Sequence, residues 1–400
     1  MSRADSRPHL LFLSHCVPNP PNKGEKIRAY HEISHLAGEY RIHLACFART
    51  PAEMADALAL RDRCASVYAE LLSYRRCLPR AMARFAAGAC LNTSFYDSPN
   101  MAAYAQSLTE LPLSATLAYT CVMARYAPAG PPLLVDMVDV DSEKWLQYGR
   151  ERWAGPAWAL EGRRLRAVER ACAKRAAYTF AATGQEQALL QGITGGEVEA
   201  IENGVDFAYF DPAAAPEIAA LRSRRFLLFA GAMDYYPNAD AVRRFAAEIF
   251  GPLRREDPGL EFFVVGHNPS RAVRALARQE GITVTGSVDD VRPYLAAAQA
   301  VAAPLRIARG IQNKVLEALA MNKLVLAEPA VCRTFGADLP RGVVRCESLE
   351  DWRDALARPA SGDVRHAARA RFDWANNLER LASRLRVAAG RRGAGAAVYQ

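Results

Sequence analysis

The stretch Arg306-Ile-Ala-Arg-Gly-Ile-Gln-Asn-Lys-Val-Leu-Glu-Ala-Leu-Ala-Met-Asn-Lys-Leu-Val-Leu-Ala327 joins the end of one strand, a glycine-bearing loop, a helix start and a second strand. The run before it, Ala300 to Leu305, reads as a short buried strand, and Val315, Leu316 and Leu319 then recur at helical spacing. Asn313 is a favourable helix N-cap. A helix beginning there leaves Gly310, Ile311 and Gln312 in a turn whose free N–H groups and helix dipole face whatever lies above the strand end, a setting that suits an anion. Lys314 adds a full positive charge, with Arg306 and Arg309 just upstream. Glu317 shares a face with Asn313, and a carboxylate amid that potential suits a ligand that also carries hydroxyls, such as a ribose or a sugar. The same residues also read as an ordinary amphipathic helix, capped by Asn and carrying a solvated lysine.

Working outward, the chain has 400 residues, 51% hydrophobic and 24% charged, enough for two domains with a core each, so two lobes and a cleft are expected. No apolar run reaches the length of a membrane span, and the patch Leu10 to Leu13 is too short for a signal-peptide core, which points to the cytoplasm. The nine cysteines are scattered, without a C-x-x-C pair, and read as reduced thiols rather than disulfides or metal ligands. Net charge is +8 with pI near 9.1, nearly all of it arginine. That permits an anionic substrate, an anionic membrane face or nucleic acid. No nucleic-acid-binding signature accompanies the charge, so nucleic acid is excluded as a partner.

The patterning repeats a parallel βαβ grammar. In the first half, strands are expected at His9 to Ser14, Ile42 to Phe47, Ser66 to Leu71, Ala115 to Tyr119, Leu133 to Val138, Tyr178 to Ala182 and Val198 to Ile201, with helices between them. Thr183-Gly-Gln-Glu186 is a capping-box pattern opening one of these helices. Turn formers around Asn203-Gly-Val-Asp206 and Pro212 mark a linker. The second half restarts with strands at Phe226 to Ala230, Phe262 to Val265 and Ile282 to Thr285. Two doubly wound units follow from this, with ligands expected at the carboxyl ends of the strands. The expected division is 1–205, 206–368, a helix 369–388 returning to the first domain, and a disordered tail 389–400.

Four stretches resemble a known family: Val17-Pro-Asn-Pro-Pro-Asn-Lys-Gly-Glu-Lys-Ile-Arg28, Val135-Asp-Met-Val-Asp-Val-Asp-Ser-Glu-Lys-Trp145, Phe229-Ala-Gly-Ala-Met-Asp-Tyr-Tyr-Pro-Asn-Ala-Asp-Ala241, and the opening segment with Leu316-Glu-Ala-Leu-Ala320. Spread in order over both halves, they resemble glycosyltransferase family 4, and most closely the sugar transferases of bacterial exosortase (PEP-CTERM) and exopolysaccharide loci. The resemblance implies a GT-B fold, two Rossmann-like domains facing a central cleft. It implies a retaining transfer of a hexose-type unit from a nucleotide diphosphate sugar to a hydroxyl of a cell-surface or lipid-linked glycan, with no bound cofactor and no metal.

On that resemblance, Glu317 matches the glutamate that binds the nucleotide ribose, while Arg309 stands where the family has an earlier glutamate; it could instead pair with the diphosphate and stabilise the departing nucleotide. Arg306, Gly310, Ile311, Gln312, Asn313 and Lys314 would hold the diphosphate. Gly286 and Val288 match the place where relatives hold the nucleobase through backbone groups. In the first half, Gly24 would let the backbone approach the sugar or its phosphate, with Lys23 and Lys26 adding positive charge. Asp139 stands near a histidine of relatives and could accept a proton from the acceptor hydroxyl, flanked by Asp136 and Asp141. It could equally hydrogen-bond a sugar or hold its loop.

Two arginine-bearing stretches, Tyr74 to Phe85 and the helix from Pro156 to Ala176, are candidates for peripheral contact with an anionic membrane, or else are solvated faces. Rival functions are a noncatalytic nucleotide- or glycan-binding subunit of a polysaccharide assembly complex, which the arginine at position 309 favours, and a nucleotide-sugar epimerase.

Overall fold

The computed structural model describes residues 6–151, 155–308, 310–357 and 362–396. The chain divides into two compact units, Met1–Ile201 with Leu378–Gln400, and Glu202–Asn377.

The first unit is built on seven strands: β1 (His9–Ser14), β2 (Arg41–Ala48), β3 (Ser66–Leu71), β4 (Leu113–Tyr119), β5 (Leu133–Asp136), β6 (Tyr178–Ala181) and β7 (Glu199–Ala200). All neighbours are parallel, in the order β3-β2-β1-β4-β5-β6-β7. Because helices cover both faces, the central strands are continuous apolar runs rather than alternating ones. In β1, Leu10 and Phe12 join Ile33 and Leu36 of the helix Gly24–Leu36 on one side. Leu11 and Leu13 join Leu165 and Leu190 on the other.

The second unit repeats the plan with β8 (Arg225–Ala230), β9 (Leu260–Val265), β10 (Ile282–Gly286), β11 (Ala300–Ala303), β12 (Val325–Ala327) and β13 (Val343–Arg345), in the order β10-β9-β8-β11-β12-β13 and again all parallel. One core holds it, with Phe229, Phe245, Phe262, Val315, Leu319 and Trp352 buried inside.

Two expected elements end differently. The strand foreseen to Val138 stops at Asp136, because Val138 turns into the left-handed region at φ 63°. The terminal helix is two helices, Val364–Phe372 and Trp374–Ala396, interrupted at Asp373, which bridges to Val205. The second runs through the stretch expected to be disordered as far as Ala396, continuing a helix that is already nucleated despite glycines at 390, 393 and 395. Residues 397–400 lie outside the described residues.

What keeps residues 202–205 and 371–377 in the second unit is specific. Val205 N–H donates to the Phe372 carbonyl at 2.8 Å, Asn377 Nδ2 donates to the Glu202 carbonyl at 3.0 Å, and Arg371 clasps Glu202 with two bonds of 2.9 and 2.8 Å. Gly204 lies so close to Trp374 that a Cβ there would come within 2.7 Å of the indole.

Candidate active site

In an open parallel sheet, loops from strands either side of the order reversal part and leave a crevice at the carboxyl edge. In the second unit that reversal lies between β8 and β11. The helix Asn313–Ala320 follows β11, and its Lys314 reaches across to the end of β8. There Nζ donates to Asn238 Oδ1 at 2.7 Å and sits 4.0 Å from the centre of the Phe229 ring. Asn238 in turn donates from Nδ2 to the Ala232 carbonyl at 2.9 Å. It does not cap the helix Tyr236–Phe245, whose N-cap, Tyr235, makes no side-chain bond; its job is to fix Lys314 to the loop.

The strand ends here are bare backbone. A Cβ on Gly231 would meet Asn238 at 2.9 Å and the Lys314 amine at 3.1 Å, and one on Gly266 would lie 1.7 Å from the Gly231 carbonyl oxygen. With Gly286 ending β10, three adjacent strands finish in glycine, a floor roughly 10 Å across at ordinary strand spacing. The Gly286 carbonyl accepts from Gly266 N–H at 3.0 Å and from the Thr285 hydroxyl at 2.9 Å, so that group serves the fold, while Val288 packs on the core.

Burial lowers the Lys314 pKa to about 7, opposed by attraction to Glu317. Burial likewise raises Glu317 to about 7, opposed by Lys314. Both side chains keep part of their surface open, and the Glu317 carboxyl has no hydrogen-bond partner among the described residues. Asn313 is the first helical residue rather than the cap; the N-cap is Gln312, whose side chain donates to the Gly310 carbonyl at 3.2 Å and leaves the first helical N–H groups without a side-chain cap. Gly310 takes φ 61°, and Ile311 is buried below the loop. Arg306 is turned to Glu248, 3.1 Å away on the exposed surface. Such pairs are weak. Arg309 lies outside the described residues.

In the first unit the reversal lies between β1 and β4. His15, just past β1, stacks on Tyr119 of β4 with ring centres 5.6 Å apart, and its Nε2 is 3.5 Å from Glu25. Arg49, just past β2, donates to Glu25 at 3.0 Å. His15 and Arg49 hold the Glu25 carboxyl down at about 2, against burial. These residues escaped the sequence reading; the available signal was that His15 and Arg49 each stand one residue beyond the carboxyl end of neighbouring strands, β1 and β2, with Glu25 at the start of the helix between them.

Lys26, expected among the ligand-facing charges, is instead buried and donates to Glu53 at 2.9 Å. Asp136, expected at the acceptor side, is also buried and serves the fold. It accepts from Arg28 Nε at 2.5 Å and from Val138 N–H at 3.1 Å, while its own carbonyl takes the Thr120 N–H at 2.7 Å. Thr120 at φ 76° and Val138 at φ 63° are β-branched residues in the left-handed region, each costing of order 1–3 kcal/mol. Asp136 holds both turns. Their effect is to present Asp139, which stays exposed. Crowding by the surrounding protein, together with Glu186 and Asp141, pushes its carboxyl up to about 7. Glu186 lies at the expected capping box, where its N–H donates to Thr183 Oγ1 at 3.1 Å, but its carboxylate accepts from Val140 N–H at 2.7 Å. Gly24 opens its helix exposed, with Lys23 as an uncapped, exposed N-cap. Among the described residues, no three His, Cys, Asp or Glu side chains form a group that could hold a metal ion.

Residues 224–358, within the second unit, match the family described as Glycosyl transferases group 1. No curated protein matches the chain by sequence. Among solved structures, sucrose-phosphate synthase from Thermosynechococcus elongatus aligns with TM-score 0.64 at 13% identity, over 94% of this chain and 98% of that one. Anabaena HepE in complex with UDP-glucose aligns with TM-score 0.62 at 13% identity over 94% and 99%. For α,α-trehalose 6-phosphate synthase from Burkholderia multivorans the values are 0.63, 13%, 96% and 99%. At such identities the likeness is one of fold. The chain therefore has the α/β GT-B fold, and its group 1 segment together with these neighbours supports a glycosyltransferase.

Proposed function

We propose that the protein is a retaining, family 4-like glycosyltransferase that needs no metal and moves a sugar from a nucleoside diphosphate sugar to a hydroxyl of a cell-surface or lipid-linked glycan, on the cytoplasmic side and in exopolysaccharide synthesis. The observation that carries the donor half is Lys314 pinned at the sheet reversal, with the Glu317 carboxyl, which has no hydrogen-bond partner among the described residues, one turn on. Lys314 and the N–H groups of Gln312 to Lys314 hold the diphosphate, Arg306 adds positive charge, and Arg309, on the family resemblance, pairs with the diphosphate and stabilises the departing nucleotide. Glu317 accepts from the ribose hydroxyls. Gly231 and Gly266 let the strand ends, Asn238 and Lys314 pack closely at the floor of the site, and the Gly286–Val288 turn borders the base.

On the acceptor side, Asp139 is the one carboxyl of its cluster that is both exposed and raised toward neutrality, which suits proton transfer at a hydroxyl. Lys23, Gly24 and Asp141 border it in function. Retention and the glycan pathway rest on the family resemblance. UDP-glucose, bound by Anabaena HepE, is the first donor to try.

The test is mass spectrometry of products from a panel of nucleotide sugars incubated with extracted lipid-linked glycans. A mass increment of one sugar, lost in Glu317→Ala, is the expected result. Tight donor binding without any product would favour the noncatalytic nucleotide-binding reading, which the arginine at position 309 keeps in view.

A further inference from the structure

We propose that the helix Tyr74–Ala86 is the face by which this protein docks on the surface of an anionic phospholipid bilayer. Cys77 and Ala81 are buried and fasten the helix to the first unit. Beside that buried edge Tyr74, Leu78 and Met82, spaced four apart, are 55%, 46% and 51% exposed, and Leu71 at the end of β3 is 46% exposed. Residues at that spacing share one side of a helix. The stripe from Tyr74 to Met82 is roughly 12 Å long at the helical rise.

The charge around it has one sign. Between Leu72 and Tyr96 there are four arginines and no aspartate or glutamate. Arg80 and Arg84 are engaged by Asp97. Arg75 and Arg76 are exposed, with no partner among the described residues. Within the helix the only other polar side-chain atoms are the Tyr74 hydroxyl and the buried Cys77 thiol. Guanidinium groups beside hydrocarbon, with nothing else, match phosphodiester headgroups above acyl chains.

The second arginine-bearing helix, Gly155–Arg175, lacks this character. Arg164 donates to the Phe85 and Ala89 carbonyls at 2.6 and 2.9 Å, Arg166 pairs with Glu143, Arg170 donates to the Ile193 carbonyl at 2.9 Å, and Arg175 donates to the Ala124 carbonyl at 2.9 Å. These four arginines are engaged by the fold, which leaves Lys174 and Arg163 as the remaining exposed cations of that helix. Among the described residues no helix is long and apolar enough to cross a membrane, so the contact proposed lies in the plane of the headgroups.

The proposal does not depend on sugar transfer, and its test reads binding alone. The full chain is floated with vesicles of phosphatidylglycerol and phosphatidylethanolamine, and separately with phosphatidylcholine vesicles. The wild type is expected to float with the anionic vesicles only, and less so as salt is raised. Leu78→Glu with Met82→Glu should lower partitioning by more than about tenfold. Arg75→Gln and Arg76→Gln should each lower it roughly fivefold and flatten the salt dependence. Leu189→Glu, an exposed leucine on another helix, should change nothing. Thermal melts check that each variant is folded; the arginine pair keeps the test decisive if the double glutamate variant is not. Flotation equal on both vesicle types, undiminished binding of the folded variants, or vesicle-independent self-association that the same substitutions abolish would overturn it.

Discussion

Lys314 and Glu317 each stand near neutrality for the same reason, loss of water, and each is partly rescued by the other. The lysine is charged below about 7 and the carboxyl above about 7, so a ligand needing both charges binds best around neutral pH. For a sugar nucleotide, whose diphosphate has no group titrating in this range, calorimetry should give an affinity that falls on both sides. The alkaline limb belongs to Lys314 and should vanish in Lys314→Met; the acid limb belongs to Glu317 and should vanish in Glu317→Gln. Both limbs surviving in both variants would disconnect the pair from the ligand. Much of this site was legible from residue order alone, because Lys314 and Glu317 share a helix that follows a strand. What was not legible were partnerships across long loops. Nothing local tells that Lys26 is neutralised by Glu53, or that Asp136 turns inward to Arg28, or that His15, Glu25 and Arg49 converge.

At the scale of elements, two features hold the carboxyl edges in place, and both can be broken. Gly266→Ala would drive a Cβ into the Gly231 carbonyl and pry β8 from β9 at the floor of the donor crevice. A loss of at least about 1–3 kcal/mol in denaturant unfolding is expected, with weakened donor binding. Arg28→Met in the helix Gly24–Leu36 would strand Asp136 and Glu32, both fully buried. Removing one partner of a buried ionic group costs about 3–5 kcal/mol. Because Asp136 also anchors Val138, the loop carrying Asp139 should loosen, seen as faster amide exchange at residues 137–140. Unchanged exchange there would separate the ion pair from the loop. The central strands were readable because burial on both faces makes them unbroken apolar runs, as in Leu10 to Leu13. The three-residue β13, ending in exposed Arg345, and the helix Leu349–Ala357 were not read, since elements so short or so polar carry little pattern of their own and form by docking on what is already folded.

For the whole molecule, two doubly wound units were foreseeable from the recurrence of one strand–helix grammar, whereas their borders depend on pairings such as Val205 with Asp373 that join distant segments. The helix Trp374–Ala396 contributes to both: Trp374 packs against Gly204 in the second unit, and Leu381 and Leu385 are fully buried in the core of the first. Leu381→Ala should therefore destabilise the first unit by about 2–5 kcal/mol. Calorimetric unfolding should show the loss while nucleotide binding by the second unit is retained; loss of both would mean that the units do not stand independently. The central claim is that the second unit grips a sugar nucleotide at its sheet reversal, with Glu317 on the ribose. Titration of UDP-glucose and its counterparts with other bases and sugars into wild type and Glu317→Gln tests it most directly. One donor should bind the wild type and bind the variant about 10- to 150-fold more weakly, as expected for a lost hydrogen bond to a charged group, whereas equal affinity in the two proteins would contradict the account.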